Sequence, residues 1–487
     1  MKLKINHNKK ILIPILIYTL IYSLISLVNH YNFRTYAWDL GISNNAIYDY
    51  AHFRWNDCMI LQPQFKNILA DHFTLLPVLV SPLYWIFGSY TMLLFQIAAI
   101  IFGGIGIYKY FINKTSDSNL AVIAMVHFYS IWGIYSALSF DYHDNVIAAM
   151  FVPWFFYLFD KQNWTGASFF FLLICISKEN MALWAVFIAL TAFLLNYKSP
   201  KHRNISLLLS LFALTFFITL VKVVIPSLAN EGRDYLHFNY HAIGKNFSEA
   251  IHTIIYRPQY VFSLLFENNT GWNDANFNKS ELHFFVLLSG GYALFYKPQF
   301  IPMLIPIYAQ KLLNDDVVKW GLNAQYSIEF VPILTLALYT FLYEKNLNKK
   351  IYIYLLPCLI TIIATASSMD HRVSIWYNPE ELQFYNKKHY EVPYDVSKVQ
   401  NILKLLPENA KVSATNCLVP HLSFRDYIYA FPVINDADYI VILRPVINFP
   451  FNKEELEKKI NELETSGEWI KTTDQDNVIV FKHVRLS

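Results

Sequence analysis

Asp39, in the run Trp38-Asp39-Leu40-Gly41, follows closely on the first long apolar stretch, Ile11 to Val28. A carboxylate held at the end of such a stretch has the type and setting of a general base, able to take a proton from a hydroxyl within hydrogen-bond reach. Further groups do not belong in a purely structural set of apolar helices. They are Asp71 with His72; Asp141, His143 and Asp144; Lys178 with Glu179; Arg233; and Gln325, Tyr326 and Glu329. Together they offer proton acceptors, imidazoles and cations that could stabilise a developing negative charge. Taken singly, each reads as readily as a cap, since Asp before a helix is a preferred N-cap residue. His72, Asp141 and His143 are acceptable metal-ligand types. No spacing of the H-E-x-x-H kind joins them, so no metal or other cofactor is expected and a hydrogen-bonded network is favoured.

The elements that must position these groups are membrane helices. Of 487 residues, 55% are hydrophobic, 17% aromatic and only 15% charged, against about 25% charged in an ordinary soluble domain. The stretch 11 to 28 is long enough to cross a bilayer, which takes roughly 17 to 25 apolar residues. It is too long for a signal-peptide core and no small-x-small cleavage pattern follows it, so it reads as a retained span. Lys2, Lys4, Lys9 and Lys10 ahead of it place the N-terminus in the cytoplasm and Asp39 on the opposite side.

Further apolar runs lie near 73–87, 91–112, 120–138, 146–160, 166–177, 181–196, 205–225, 283–296, 300–313, 328–343 and 351–367. The expected architecture is therefore an all-α polytopic bundle of about 11–13 helical segments over residues 1–367. Outside loops are expected at about 29–71 and 226–282, the second with a weakly amphipathic stretch around 246–266. Runs 166–177 and 181–196 are each too short to cross and are joined by Lys178, Glu179 and Asn180. Ionisable residues at that depth are costly unless they line a polar cavity or pair. The competing possibility is one tilted helix with a local Lys-Glu pair. Past residue 367 short β-like runs at 411–414, 439–443 and 478–482 alternate with a polar helix at 453–465, the pattern of a soluble α/β domain over 368–487. It is expected outside the cytoplasm.

The net charge of +3 is small and the Lys and Arg residues are scattered, so no nucleic-acid partner is indicated. Membrane lipids are the expected surroundings, and partner proteins are not indicated. The four cysteines form no C-x-x-C pair and read as isolated thiols. Walker, G-x-G-x-x-G and G-x-S-x-G patterns are missing, which removes support for ATP-driven transport, nicotinamide chemistry and elbow-type serine hydrolysis.

In order along the chain, W-D-L-G at 38–41, H-F-T-L-L-P at 72–77, P-L-Y at 82–84, F-D-Y-H at 140–143, S-K-E-N at 177–180 and A-Q-Y-S at 324–327 resemble a bacterial membrane family, domain of unknown function 2079. V-P-H-L-S at 419–423, Arg425, Ile428 to Pro432 and A-D-Y-I-V at 437–441 resemble its C-terminal pattern. Asn180 and Arg444 depart from it, standing where acidic residues are usual. That family in turn resembles the C-type glycosyltransferases, multi-span enzymes with polyprenyl-phosphate sugar donors and an acidic residue in the first outside loop. The resemblance implies a location in the bacterial cytoplasmic membrane and a hexosyltransferase-like activity with Asp39 as base.

The residues support such chemistry on their own terms. Attack on an anomeric carbon needs a base for the acceptor hydroxyl, which Asp39 could be. The leaving lipid phosphate needs cations or hydrogen-bond donors, which Lys178, Arg233 or His72 could supply. Asp141, His143, Glu179, Gln325 and Tyr326 complete the candidates for donor or acceptor binding. Two rival readings use the same features: a transporter or flippase for a lipid-linked or small anionic substrate, with Lys178 and Glu179 on its path, and a non-catalytic membrane scaffold.

Overall fold

The computed structural model describes residues 2–61, 67–229, 238–345, 350–374, 377–444 and 449–486. Helices dominate. Among the described residues Lys10–Tyr31, Leu76–Thr115, Pro200–Leu228 and Ile351–Asp370 are long and apolar enough to cross a membrane. The pair Ser118–Ser130 and Trp132–Leu138, bent by 44°, makes a fifth if its halves form one span. Trp164–Ser177, Glu179–Leu195 and Phe330–Glu344 are shorter apolar helices.

The long spans are fewer than the apolar runs suggest, for two physical reasons. Runs 73–87 and 91–112 are joined through the tight turns Ser81–Leu83 and Gly88–Tyr90 into one stretch of 40 residues; Gly88, at φ +53, makes the second turn without a Cβ penalty. Other runs form helices too short to cross alone, and these tolerate breaks because protein groups fill the freed backbone sites. At the bend, Ile131 is extended and the Ser130 carbonyl accepts the Thr365 hydroxyl at 2.6 Å. Between Trp164–Ser177 and Glu179–Leu195, Lys178 is extended, and the Ile176 carbonyl accepts the Leu75 amide at 3.0 Å. The 166–196 region is thus two helices, not one tilted one.

Gly133 lets the bent pair approach the segment that carries Gln325 and Tyr326. A Cβ there would lie 2.6 Å from the Ser327 carbonyl oxygen, a backbone atom that cannot rotate away. Gly133→Ala is expected to destabilise the protein by about 1–3 kcal/mol, as overpacking does. Thermal unfolding in detergent should show a lowered midpoint, and an unchanged midpoint would refute the tight fit.

The C-terminal segment forms one five-stranded sheet from β1 (Val412–Ala414), β2 (Ile428–Ala430), β3 (Tyr439–Leu443), β4 (Trp469–Gln475) and β5 (Val478–His483). The order is β2-β1-β3-β5-β4, with the first three parallel and β5 antiparallel to both neighbours. The β4–β5 hairpin turns on Asp476 and Asn477, at φ +50 and +68, the pair of left-handed residues that a two-residue hairpin with matching twist requires. Helix Lys453–Thr465 starts with a capping box between Asn452 and Glu455. It buries Leu456, Ile460 and Leu463, at i, i+4 and i+7, with Ile440, Ile442 and Phe481 of the sheet.

This sheet does not stand apart from the helices. Phe33, Ala37, Ala46 and Ile60 of the first loop share one apolar core with Val412, Ala414, Val419 and Val441. Polar bonds close the same seam: Asn44 Nδ2 donates to the Pro420 carbonyl at 3.0 Å, Asn45 Nδ2 to the Ser423 carbonyl at 3.0 Å, and Arg54 pairs with Asp426 at 2.7 Å. The first loop and the C-terminal segment therefore lie on one face of the molecule.

Candidate functional site

Residues Ala37–Gly41 form a π-helical turn, in which the Gly41 amide donates to the Tyr36 carbonyl at 3.0 Å. Such turns recur at functional positions because the extra residue redirects side chains. Two distant segments of the chain pin it. The Tyr36 amide donates to Asp141 Oδ2 at 2.7 Å, and the Ala37 amide donates to Asn416 Oδ1 at 2.7 Å. Gly41 packs at the same seam, where a Cβ would lie 3.0 Å from Val419 Cγ1.

The turn presents the Asp39 carboxylate to His143, with Nε2 donating to Oδ1 at 3.0 Å. The Asp39 side chain is 25% exposed and the His143 side chain 9%, so the pair sits at the rim of the protein with one face open. Asp39 is not a helix cap: neither this turn nor the following helix Ile42–Ala51 has a side-chain cap bond. Gln96 fixes the loop that holds His143, its Nε2 donating to the Asp141 carbonyl at 2.8 Å and its Oε1 accepting the His143 amide at 2.9 Å. The Phe140 ring stacks on the imidazole.

Asp141 differs from Asp39 although both are carboxylates of one cluster. It is buried, at φ +63, and its Oδ1 has no hydrogen-bond partner among the described residues. Burial, and next the Asp39 charge, hold its carboxyl well above the usual carboxylate range, against the opposing pull of the Tyr36 and Leu40 amides. The environment thus favours a neutral acid at Asp141, beside an open carboxylate at Asp39.

A second group gathers at the helix break. Glu179 is buried, its Oε1 2.9 Å from His72 Nδ1 and its Oε2 accepting the Phe73 amide at 3.2 Å. Burial, and next the Lys178 charge, lower the His72 pKa, opposed by Glu179. Lys178 itself is half-buried; its carbonyl accepts the Met181 amide at 3.0 Å, while its ammonium makes no hydrogen bond or ion pair among the described residues. Its charge reaches His72 and Lys319. Lys319, in the short turn Val317–Lys319, lies 5.7 Å from the Tyr326 ring centroid and 3.8 Å from Asp316. Burial lowers its pKa, with Asp316 opposing and Lys178 adding to the effect. Tyr326 is raised by burial and next by the Asp39 charge, so its hydroxyl lies within electrostatic reach of the first group. Gln325 contributes its backbone carbonyl to Asn145 Nδ2 at 3.2 Å, while its side-chain oxygen is buried without a partner among the described residues.

Asp39, Asp141 and His143 are thus in one hydrogen-bonded cluster, and His72 and Glu179 in another. Lys178 and Tyr326 are tied to these by charge rather than by contact. Arg233 lies outside the described residues. Three contributors went unforeseen: Gln96, Asn416 and Lys319. Lys319 had a visible signal, a cation in the polar break between runs 300–313 and 328–343; Gln96, a single amide within an apolar run, had a faint one; Asn416 had none. Among the described residues no three His, Cys, Asp or Glu side chains converge as metal ligands.

The seam beside the turn carries its own titration. His421 stacks on His30 with ring centroids 4.1 Å apart and planes 6° apart. Burial pushes the His421 pKa down to about 3, with a bond to the His30 backbone opposing. A folded pKa below the unfolded value of about 6.5 means stability is present above pH 6.5 and is lost as pH falls toward 3. At pH 5 the loss from this group is about 2 kcal/mol. Thermal unfolding between pH 7 and 5 should show a steeper fall for the wild type than for His421→Gln, and equal slopes would refute the assignment.

A family profile described as "Predicted membrane protein (DUF2079)" matches residues 29–480. No curated protein matches the chain.

Proposed function

Because the chain belongs to the membrane-protein family domain of unknown function 2079, we propose from its site geometry that it is a glycosyltransferase moving a sugar from a polyprenyl-phosphate donor onto an extracytoplasmic acceptor. The observation that carries this reading is the open Asp39 carboxylate on His143, whose charge reaches Tyr326, with Lys319 5.7 Å from the Tyr326 ring centroid. In this reading Asp39 takes the acceptor hydroxyl proton as the acceptor oxygen bonds to the anomeric carbon. The bond to the phosphate oxygen breaks, its electron pair leaves with the phosphate, and the configuration inverts. Lys178 and Lys319 hold the donor phosphate and balance the charge that develops on it as the leaving group. His143 holds the Asp39 carboxylate in place, and Gln325 and Tyr326 line the approach.

The N-terminal lysines favour a cytoplasmic N-terminus, with the first loop and the C-terminal sheet on the outer face of a bacterial cytoplasmic membrane. One observation favours a carrier instead: the helix broken at Lys178, a device that transporters use to bind anions at a half-helix. Proteoliposomes given radiolabelled polyprenyl-phosphate sugar and candidate acceptors separate the two. Label in the acceptor is the expected result. Vectorial movement of donor without transfer would replace the enzyme with a carrier, and neither event would leave a scaffold.

A further inference from the structure

Helices Phe247–Tyr256 and Pro258–Ser263 form an arm between the Pro200–Leu228 span and helix Asn278–Leu288. Ten residues of helix extend about 15 Å, half of the roughly 30 Å hydrocarbon core, so neither piece can cross a bilayer. The rear of the arm is held. Ala250 and Leu264 pack with Ile243 and Leu313. Lys279 Nζ donates to the Leu264 carbonyl at 2.6 Å, the Glu267 carbonyl at 2.9 Å and Asn269 Oδ1 at 3.1 Å, while lying 3.9 Å from the Trp320 ring centroid.

The front is bare. Phe247, Ile251, Ile254 and Ile255 repeat at i, i+4, i+7 and i+8, the spacing of one helix face, and each is between 42% and 65% exposed. Phe262 and Phe266 extend the apolar surface onto the second piece, at 63% and 49%. Glu249 turns back to its own N-terminus, accepting the Lys245 amide at 3.0 Å. A fixed helix with one large apolar face in water would be an aggregation hazard.

What covers it is indicated by the chain on either side. The preceding span is only 17% buried over its most apolar window and exposes Leu208 and Leu211 at 66% and 62%, a surface that faces acyl chains. The following helix exposes Phe284 at 56%. The arm's apolar face thus follows in sequence on a span with an exposed apolar surface of its own, and Lys245, Glu249, His252 and Arg257 give it mixed rather than uniformly basic charge. We propose that residues 247–266 are an in-plane membrane arm, its apolar face sunk about 5–10 Å into the headgroup–acyl boundary, and that it binds neutral lipid without needing an anionic surface. Leu264 of the arm packs with Leu313, and the loop that leads into the arm is tied to the segment before Lys319 by the bond of His241 to Asp315 at 2.8 Å. The inference does not depend on the reaction.

Cys58, Cys175, Cys358 and Cys417 are all buried, so the full chain can be spin-labelled at Ile255→Cys or Glu249→Cys and placed in phosphatidylcholine nanodiscs. The label at 255 should be relaxed by oxygen and protected from an aqueous nickel chelate, with the reverse at 249. Nickel access at both positions would overturn the arm. Protection of 255 from both reagents, with dipolar broadening between copies, would also overturn it and assign the face to a second copy. If the labelled variants do not fold, the unmodified chain with a diazirine phosphatidylcholine serves: crosslinks within 247–266 support the arm, and their absence alongside labelling of 205–218 refutes it.

Discussion

Asp39→Asn lowers sugar transfer by about 100-fold or more, the usual cost of a missing acid–base group, while insertion and folding stay near normal. The amide keeps an oxygen for the His143 Nε2–H donor at 3.0 Å but cannot accept a proton. Asp141→Asn, in the same cluster, has the opposite outcome. Its environment already favours the uncharged acid; Asn tolerates the left-handed backbone at φ +63 and still offers an oxygen to the Tyr36 amide. Transfer should stay close to wild type. The sign of the pH effect follows: a carboxyl raised by burial stabilises the fold at low pH and costs stability as pH rises through its elevated pKa. Asp141→Asn should therefore flatten the fall in stability that sets in above about pH 4, the ordinary carboxyl range, and continues up to the raised pKa. Measured transfer rates and unfolding midpoints for the two variants decide the matter. Equal losses of transfer would show that the two carboxylates act alike, and near-normal transfer in Asp39→Asn would remove the base.

Lys178→Met should raise the KM for the lipid-phosphate donor by about 10- to 100-fold, the equivalent of one charge-assisted hydrogen bond of roughly 1.5–3 kcal/mol. Among the described residues the Lys178 side chain has no hydrogen bond or ion pair to lose, and removing a half-buried cation between two apolar helices relieves a desolvation cost. The unfolding midpoint should hold steady or rise. Lys319→Met should weaken the same donor, and the double variant should lose more than the sum, because each single substitution relieves the repulsion on the lysine that remains. Donor titrations with the single and double variants test this. A Lys178→Met protein with unchanged KM and a lower midpoint would make Lys178 structural.

How far the sequence speaks to this site depends on the kind of signal. Asp39, Asp141, His143, Lys178 and Glu179 were legible because a charged or imidazole group interrupts an apolar pattern, and lipid makes every such interruption expensive. The break at Lys178 was legible for the same reason. The pairing was not. His72 meets Glu179 and Asp39 meets His143 across more than a hundred residues, and nothing local encodes which helix ends converge. The apolar runs outnumber the long spans because several form helices too short to cross alone, while the gap at Gly88 corresponds to a true turn between helices. The β-like runs at 411–414, 439–443 and 478–482 correspond to β1, β3 and β5, whereas β2 and the charged, largely exposed β4 carried no comparable apolar run. The role of Asn416 was invisible, since an asparagine in a polar loop looks the same whether it faces water or caps a turn 379 residues upstream.

That last separation sets a timetable. Synthesis at about 5–20 residues per second delivers Asn416 about 20–75 seconds after Ala37. Through that interval the Ala37 amide has no Asn416, and Phe33, Ala37 and Ala46 lack the strands that share their core. The helices can insert one after another, but the turn bearing Asp39 waits for the last fifth of the chain. A ribosome that stalls before β1 leaves a membrane-inserted protein with an unfinished acidic turn and an exposed apolar loop, a species that quality-control proteases are equipped to recognise.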